Sequence, residues 1–181
     1  MIFKYITHND ILAAIRQDLL VNFAQNQQEL DNFISVCENI AIESVISKLN
    51  NRYDISKIFF IISIYDSSSQ YENNDVVYYN DNFYIAIAPN TGIAPSNNLY
   101  WIQKDPRHPI IVSIVSDITI FLLHKRINPR KIPELRINAY NEAIEWLDSC
   151  RDNKENPILP IKISGTQNIS WGSNPLNEHY Y

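Results

Sequence analysis

Glycine is scarce in this chain of 181 residues, with three copies at Gly92, Gly165 and Gly172. This scarcity excludes the glycine-rich loops GxGxxG and GxxxxGK[ST] that cradle phosphate groups. Cysteine is equally rare, and two residues as far apart as Cys37 and Cys150 cannot supply a disulfide framework or a CxxC metal knuckle. We therefore predict that both are buried, reduced thiols in helices.

Long apolar runs are also missing. No segment approaches the roughly 18 uninterrupted apolar residues of a membrane span, and the amino-terminal segment has no hydrophobic region of a signal peptide. We therefore expect no membrane partner and a chain that stays in the compartment where it is made. The net charge of −5 argues against free nucleic acid as the main partner. The 45% of hydrophobic residues are nevertheless enough to bury a core.

Signatures of catalysis and of metal binding are absent from the sequence. The four histidines are scattered without HxxxH or HExxH spacing, and no GxSxG elbow occurs. Carboxylate pairs such as Glu142 and Glu145 lie one helical turn apart, which is typical of a solvated helix face. We therefore predict no catalytic residue, no metal site, no cofactor and no enzymatic activity.

Helical periodicity marks the amino-terminal flank. Thr7 and Asp10 have the spacing of a helix cap and its first-turn carboxylate, so a short helix is expected to start there. A second short helix is expected to end near Phe23. Apolar residues then recur at steps of three and four, which predicts a long helix from Gln27 to about Asn51 with one face covered.

A second helical flank begins at Pro109. Its apolar residues cover more than one helix face, so this helix is expected to be central. Asp117 in its middle is either a buried partner for an arginine or a carboxylate on a narrow polar side. Pro133 is well placed at the first turn of a further helix that runs to about Asp152.

The centre of the chain has a different character. Residues 66–105 hold five acidic residues against one basic residue, and therefore most of the net negative charge. Residues 58–64 form a β-branched and aromatic run that predicts a strand, and residues 97–103 predict another. Residues 76–86 predict a β-hairpin, because Asn and Asp at the turn tolerate the positive φ that a tight turn demands.

These patterns predict a mainly α fold. Residues 1–57 and 106–155 would form a helical bundle of four to five helices, and residues 58–105 a small inserted all-β module. Residues 156–181 would form an extended carboxy-terminal tail, because the helical pattern ends there.

Two groups of side chains are candidate binding sites. The basic residues are Lys125, Arg126, Arg130, Lys131 and Arg136. They form either a docking patch for an acidic partner or for DNA phosphates, or ordinary cations near a helix end and in an exposed loop.

The aromatic residues of the central segment are the second group: Tyr78, Tyr84, Tyr100 and Trp101. They form either a flat platform on which sugar rings stack or the core of the small module.

The central segment resembles the small chitin-binding modules of chitinases. The similarity is carried by residues 71–86, by the turn at residues 91–95 and by the closing Trp101. Asn74 and Asp81 stand at two positions where that family has glycine. The resemblance implies a small β fold like that of a carbohydrate-binding module for this segment.

The flanks are similar to another family, the phage head–tail connectors, which include adaptor and head-completion proteins and a Mu-like branch. The similarity is carried, in the family's order, by residues 42–54, 114–122, 140–147 and 169–173. It implies a virion protein, made in the host cytoplasm and located in the neck. Such proteins form a ring, commonly of twelve copies, beneath the portal protein, and an extended tail grips a neighbouring copy or the next ring protein.

This resemblance gives the candidate sites a role. Docking to partners would use Lys125, Arg126, Arg130, Lys131 and, in the tail, Trp171. The acidic module of one copy and the basic loop of the next would face each other across a seam, while DNA passes through the lumen without specific binding. The alternative functions are a carbohydrate-binding module on a helical stalk and a small regulatory protein with a helical docking surface.

Overall fold

A computed structural model describes residues 5–16, 23–127 and 129–162 of the chain. Its helices are α1 (His8–Ala14), α2 (Gln27–Leu49), α3 (Ile55–Ile58), α4 (Pro109–Ile127) and α5 (Glu134–Arg151). Its strands are β1 (Ser63–Ile64), β2 (Gln70–Tyr71), β3 (Val76–Tyr79), β4 (Asn82–Ala86), β5 (Asn90–Thr91) and β6 (Trp101–Gln103).

The predicted fold class, a mainly α helical bundle with a small all-β insertion, is wrong. About 48% of the described residues are helical and 13% lie in strands, and four of the strands form a mixed sheet. The sheet is mixed because β1 pairs in parallel with β3. Between these two strands the chain leaves the four-stranded sheet to form β2. A parallel neighbour needs such an excursion, whereas successive hairpins give an antiparallel sheet. The fold is therefore a mixed α and β structure.

The ends of the predicted helices follow from local capping. The Thr7 hydroxyl accepts the Asp10 backbone N–H at 3.0 Å, and the Asp10 carboxylate accepts the Thr7 backbone N–H at 2.6 Å. This reciprocal capping box confirms the predicted start of α1. At the start of α2 the Asn26 side chain accepts the Glu29 backbone N–H at 2.9 Å, and α2 ends at Leu49. Most of the second short helix predicted before Phe23 lies outside the described residues.

Helix α4 is the central helix, as predicted. It packs against α1, α2 and α5, and buried residues occur on several of its sides. These buried residues are Ile111, Ile114, Val115, Ser116, Ile118, Thr119, Ile120 and Leu123. Burial of this much apolar surface is the main contribution to stability that the helical part can offer.

The predicted strands are partly confirmed. The predicted hairpin is formed by β3 and β4, and Tyr79 lies opposite Asn82 across a two-residue turn. The strand predicted at residues 58–64 is wrong over most of its length, because Ile58 ends α3 and only Ser63 and Ile64 pair. Residues 97–103 contain a strand only at β6. Strands β2 and β5 form a second, two-stranded sheet.

The hairpin turn depends on residues that tolerate a left-handed backbone. Asn80 and Asp81 have φ values of 47° and 60°, which is the requirement of a type I′ turn. Asn74, at the other position where the chitin-binding pattern has glycine, has a φ of 74°. Asparagine and aspartate adopt this region at a lower cost than other residues with a Cβ atom.

Substitutions at Asp81 are expected to change the stability of the hairpin in opposite directions. Asp81→Gly removes the strain of a Cβ atom at positive φ and should stabilise the module by about 0.5 kcal/mol. Asp81→Val places a β-branched side chain there and should destabilise it by about 1–2 kcal/mol. Urea unfolding followed by tyrosine fluorescence measures both effects, and equal stability of the two variants would contradict the turn assignment.

Two hydrophobic cores are present among the described residues. The larger one joins α1, α2, α4 and α5 and includes both cysteines. Cys37 and Cys150 are free and buried, and burial raises the pKa of the Cys150 thiol to about 11. The prediction of two buried, reduced thiols is thus confirmed. The smaller core consists of Tyr71, Val77, Ala86 and Trp101. The predicted domain boundaries at residues 58 and 105 stay a prediction.

Within the described ranges, no helix is both long and apolar enough to cross a membrane.

Candidate functional site

Arg107 lies in the connection between β6 and α4, with only 7% of its surface exposed. Its Nη1 donates to the Tyr5 carbonyl at 2.7 Å and to the Asp10 carboxylate at 2.6 Å. Its Nη2 and Nε donate to the Asp105 carboxylate at 2.7 and 3.0 Å. Its guanidinium also lies 4.2 Å from the centre of the Phe83 ring. We call these five residues the Arg107 cluster.

The Arg107 cluster connects the helical part of the chain to the sheet. Asp10 belongs to α1, Phe83 belongs to β4, and Arg107 lies two residues before the start of α4. Burial acts to lower the pKa of Arg107, but the hydrogen bonds and charges of Asp105 and Asp10 outweigh it and raise that pKa above its ordinary value. The guanidinium is therefore charged, and its donors are directed at partners within the same chain.

A cavity of about 410 Å³ lies beside the Arg107 cluster, between α1 and the first half of α4. We call it the α1–α4 pocket. The cavity forms where small side chains face each other, with Ala13 and Ala14 on α1 and Ser113 and Ser116 on α4. Side chains of this size leave space between two helices that larger residues would fill.

The polar wall of the α1–α4 pocket is mainly acidic. It contains the carboxylates of Asp10, Asp105 and Asp117 and one cation, Arg107. A concave, partly apolar cavity with a few convergent polar groups is the usual form of a small-molecule site. Among the residues that the structure describes, no group of histidine, cysteine and acidic side chains is arranged to hold a metal ion.

Asp117 is half-buried in the middle of α4. Burial raises the pKa of its carboxyl above the ordinary value, and the charge of Glu142 adds to this rise. The charge of Arg136 and a hydrogen bond from Ser113 oppose it. None of the ion pairs in the described ranges includes Asp117, while the charge of Arg136 acts on this half-buried carboxyl, so both sequence hypotheses for Asp117 stay predictions.

Replacing Asp117 by asparagine is expected to stabilise the protein at neutral pH. Because the folded-state pKa is raised, the folded chain holds this proton more readily, and stability falls as the pH rises from the unfolded value through the folded one. Asp117→Asn removes that loss. Its gain in urea midpoint should therefore be present at pH 7 and shrink towards pH 4.

The exposed Glu145→Gln on α5 is the control for this prediction, and it should leave the midpoint unchanged at both pH values. The opposite result would be a urea midpoint of Asp117→Asn that falls below the wild-type midpoint at pH 7 and approaches it at pH 4. That result would show that the Asp117 charge stabilises the fold.

The structure divides the basic residues between different environments. Lys125 and Arg126 lie at the end of α4, and the Arg126 guanidinium lies 3.8 Å from the centre of the Phe33 ring. Arg130 and Lys131 are exposed in the loop before α5. Arg136 points inwards and donates a hydrogen bond to the Ala14 carbonyl. Trp171, the docking residue predicted in the tail, lies outside the described residues.

The four aromatic residues of the proposed sugar platform do not share one surface. Trp101 is 1% exposed, and its indole N–H donates to the Ile93 carbonyl at 3.0 Å. Tyr84 and Tyr100 pack against the same small core as Trp101. Tyr78 lies on the other face of the sheet, 5.1 Å from the Phe83 ring. Trp101 thus belongs to the core, as the second sequence interpretation of these residues expected.

Comparison of the chain with protein-family models, with curated proteins and with solved structures found no match.

Sequence reasoning missed two members of this site. Arg107 stands in a connection with no periodicity, and its partner Asp10 is far away in the chain, so no local pattern indicates their contact. Ser116 lies within the apolar run of α4, and no sequence pattern distinguishes it there. The one usable signal was Asp117, an acidic residue in the middle of a strongly apolar helix.

Proposed function

We propose that this chain is a structural virion protein without enzymatic activity, a head-to-tail connector that forms a ring beneath the portal protein and joins the capsid to the tail. The observation that carries the proposal is a pair of exposed surfaces of complementary chemistry. A subunit with two different, complementary surfaces assembles head to tail, and such contacts close into a ring when the rotation permits.

The first surface is one face of the mixed sheet. Register places Val76, Ile85 and Ile102 in one row across β3, β4 and β6, and Ile64 lies on the same face. Ile64 and Ile102 are 50% and 48% exposed. We call these four residues the isoleucine face. The central segment that carries it has five acidic residues and one basic residue, so its partner should be apolar and basic.

The second surface lies between α4 and α5. It comprises the exposed residues Lys125, Ile127, Arg130, Lys131 and Leu135, which we call the basic segment. Leu135 is 70% exposed and Ile127 42%. This surface is both apolar and basic, and so it complements the isoleucine face of another copy in charge and in polarity.

The approach to the tail supports the same proposal. Ile158 is 98% exposed and Ile161 62%, although Ile161 pairs with Tyr53 in an isolated β-bridge. Large apolar side chains exposed directly before residues 163–181 suit a segment that contacts a neighbouring subunit. In this proposal the portal protein and the next neck protein are the other partners, and DNA passes through the lumen without specific binding.

Charge reversal in the basic segment is expected to weaken assembly. Arg130→Glu combined with Lys131→Glu should replace attraction to the acidic module by repulsion and lower self-association at least tenfold. Sedimentation velocity and negative-stain microscopy of the full chain, over a range of concentrations, measure this. Ile102→Asn, on the isoleucine face, should lower association without unfolding the chain, because Ile102 is half exposed.

The matched control is Arg151→Glu combined with Lys154→Glu, which makes the same charge change on another exposed surface. This control should associate as the wild type does. Equal loss in both double variants would point to net charge alone, and unchanged rings in the Arg130 and Lys131 variant would remove this seam from the proposal.

A further inference from the structure

We propose that the α1–α4 pocket binds an organic cation, namely an ammonium or guanidinium group on a short alkyl stem. The site is independent of the connector role and of the two surfaces that carry it. Three features of the pocket support this ligand class: the charge of its wall, an unsatisfied buried hydroxyl, and an apolar floor.

The wall charge favours a cation over an anion. Asp10 and Asp105 already share the guanidinium of Arg107, whose Nε and both Nη atoms donate to partners in this chain. Arg107 therefore offers no free donor to an anionic ligand. Asp117 forms no ion pair in the described ranges. The charge of Arg136 acts on it, but the Arg136 guanidinium donates to the Ala14 carbonyl, so a cation in the pocket would give the Asp117 carboxylate a direct ionic partner.

A buried hydroxyl group provides a second, independent indication. Ser116 is 4% exposed and lies in the pocket wall, and in the described part of the chain its Oγ has no hydrogen-bond partner. A buried hydroxyl without a partner is costly, so such groups are usually satisfied by a ligand or by water. Ser116 and Asp117 both line the pocket.

The remaining wall fits an alkyl stem. Ala13, Ala14, Pro109 and Val112 present apolar surface to the cavity. The cavity volume of about 410 Å³ is within the range of small-molecule sites. A ligand of this class would place its apolar stem on this floor and its charged head beside the Asp117 carboxylate. A compact inorganic cation would leave the apolar floor empty.

The proposal is tested by titrating the full chain with small probes while the methyl signals of Ala13, Ala14 and Val112 are followed by NMR. The probes are n-butylammonium and n-butylguanidinium, and n-butanol and butyrate are the uncharged and anionic controls with a similar stem. We expect saturable shifts for the two cations with a Kd in about the millimolar range. The two controls should bind at least tenfold more weakly.

Three variants locate the site. Asp117→Asn should weaken cation binding at least tenfold, and it should fold because it removes a desolvated charge. Ser116→Ala should weaken binding a few-fold without loss of stability, since its Oγ has no partner to lose. Ala13→Leu should block binding by filling the cavity while every charge stays in place. Glu145→Gln, which removes an exposed carboxylate outside the pocket, should bind as wild type does.

Several results would overturn the proposal. Equal shifts with n-butanol would indicate an apolar slot without charge selection, and tighter binding of butyrate would indicate an anion site. A loss for Glu145→Gln as large as that for Asp117→Asn would indicate unspecific attraction to an acidic protein. No saturable shift with either cation would show that the pocket is not a site.

A second set of probes distinguishes the source of the cation. Lysine and arginine with blocked termini carry the same groups as a partner protein's side chains. If they bind as tightly as the simple alkyl cations, the pocket accepts a side chain from another protein. If their backbone atoms prevent binding, the ligand is a free alkyl cation.

Discussion

Replacing Trp101 by alanine is expected to unfold the sheet module. The indole is 1% exposed and is one of the four buried side chains of the smaller core in the described part of the chain. Loss of such a buried aromatic side chain costs about 3–5 kcal/mol, and the Ile93 carbonyl loses its hydrogen bond as well. Near-ultraviolet circular dichroism should lose the tyrosine and tryptophan signal of the sheet module and keep that of the helical part. Amide protection should be lost in residues 63–103 and retained in α2 and α4.

A matched substitution separates the core from a sugar platform. Tyr100→Ala removes a neighbouring, half-buried ring and should leave the module folded. Trp101→Phe should retain part of the stability, since it keeps an aromatic ring but no N–H donor. If Trp101→Ala instead keeps the full near-ultraviolet signal and loses retention on chitin, Trp101 binds sugar and the core assignment is wrong.

Replacing Arg107 by alanine is expected to destabilise the whole chain by about 3 kcal/mol or more. The substitution leaves the half-buried Asp10 carboxylate without its cation and the Tyr5 carbonyl without its donor. Urea unfolding measures the loss, and the transitions of the helical part and the sheet should separate because the Arg107 cluster joins them. Arg107→Lys should restore only part of the stability, since lysine lacks the fork that reaches both aspartates.

The control for Arg107 is Arg151→Ala. Arg151 pairs with Asp148 and Asp152 in exposed ion pairs, which contribute little. Its urea midpoint should stay at the wild-type value. A similar midpoint for Arg107→Ala would refute the role of the Arg107 cluster as the connection between the two parts.

Features encoded by neighbouring residues were predictable from the sequence. The capping box of Thr7 and Asp10 requires residues three positions apart, and the turn at Asn80 requires only side chains that tolerate positive φ. The amphipathic and apolar patterns of the long helices likewise reflect local periodicity. Such features depend only on residues that are close together in the chain, so the sequence pattern predicts them.

Features that depend on distant contacts were not predictable. Residues 58–64 have strand propensity, yet Ile58 is fully buried at the end of α3 and packs in the helical core. Tertiary packing overrides propensity in such a run. The parallel pairing of β1 with β3 made the sheet mixed, and no local pattern indicates it. The α1–α4 pocket likewise forms from small residues on two helices that are far apart in the chain.

The most direct test of the connector proposal is immunogold labelling of purified phage particles with an antibody against this chain. We expect label at a single vertex or at the neck, and stronger label on tail-stripped particles if the tail covers the ring. Absence of label from intact and tail-stripped particles alike, or label spread over the capsid surface, would contradict a connector at the head–tail junction.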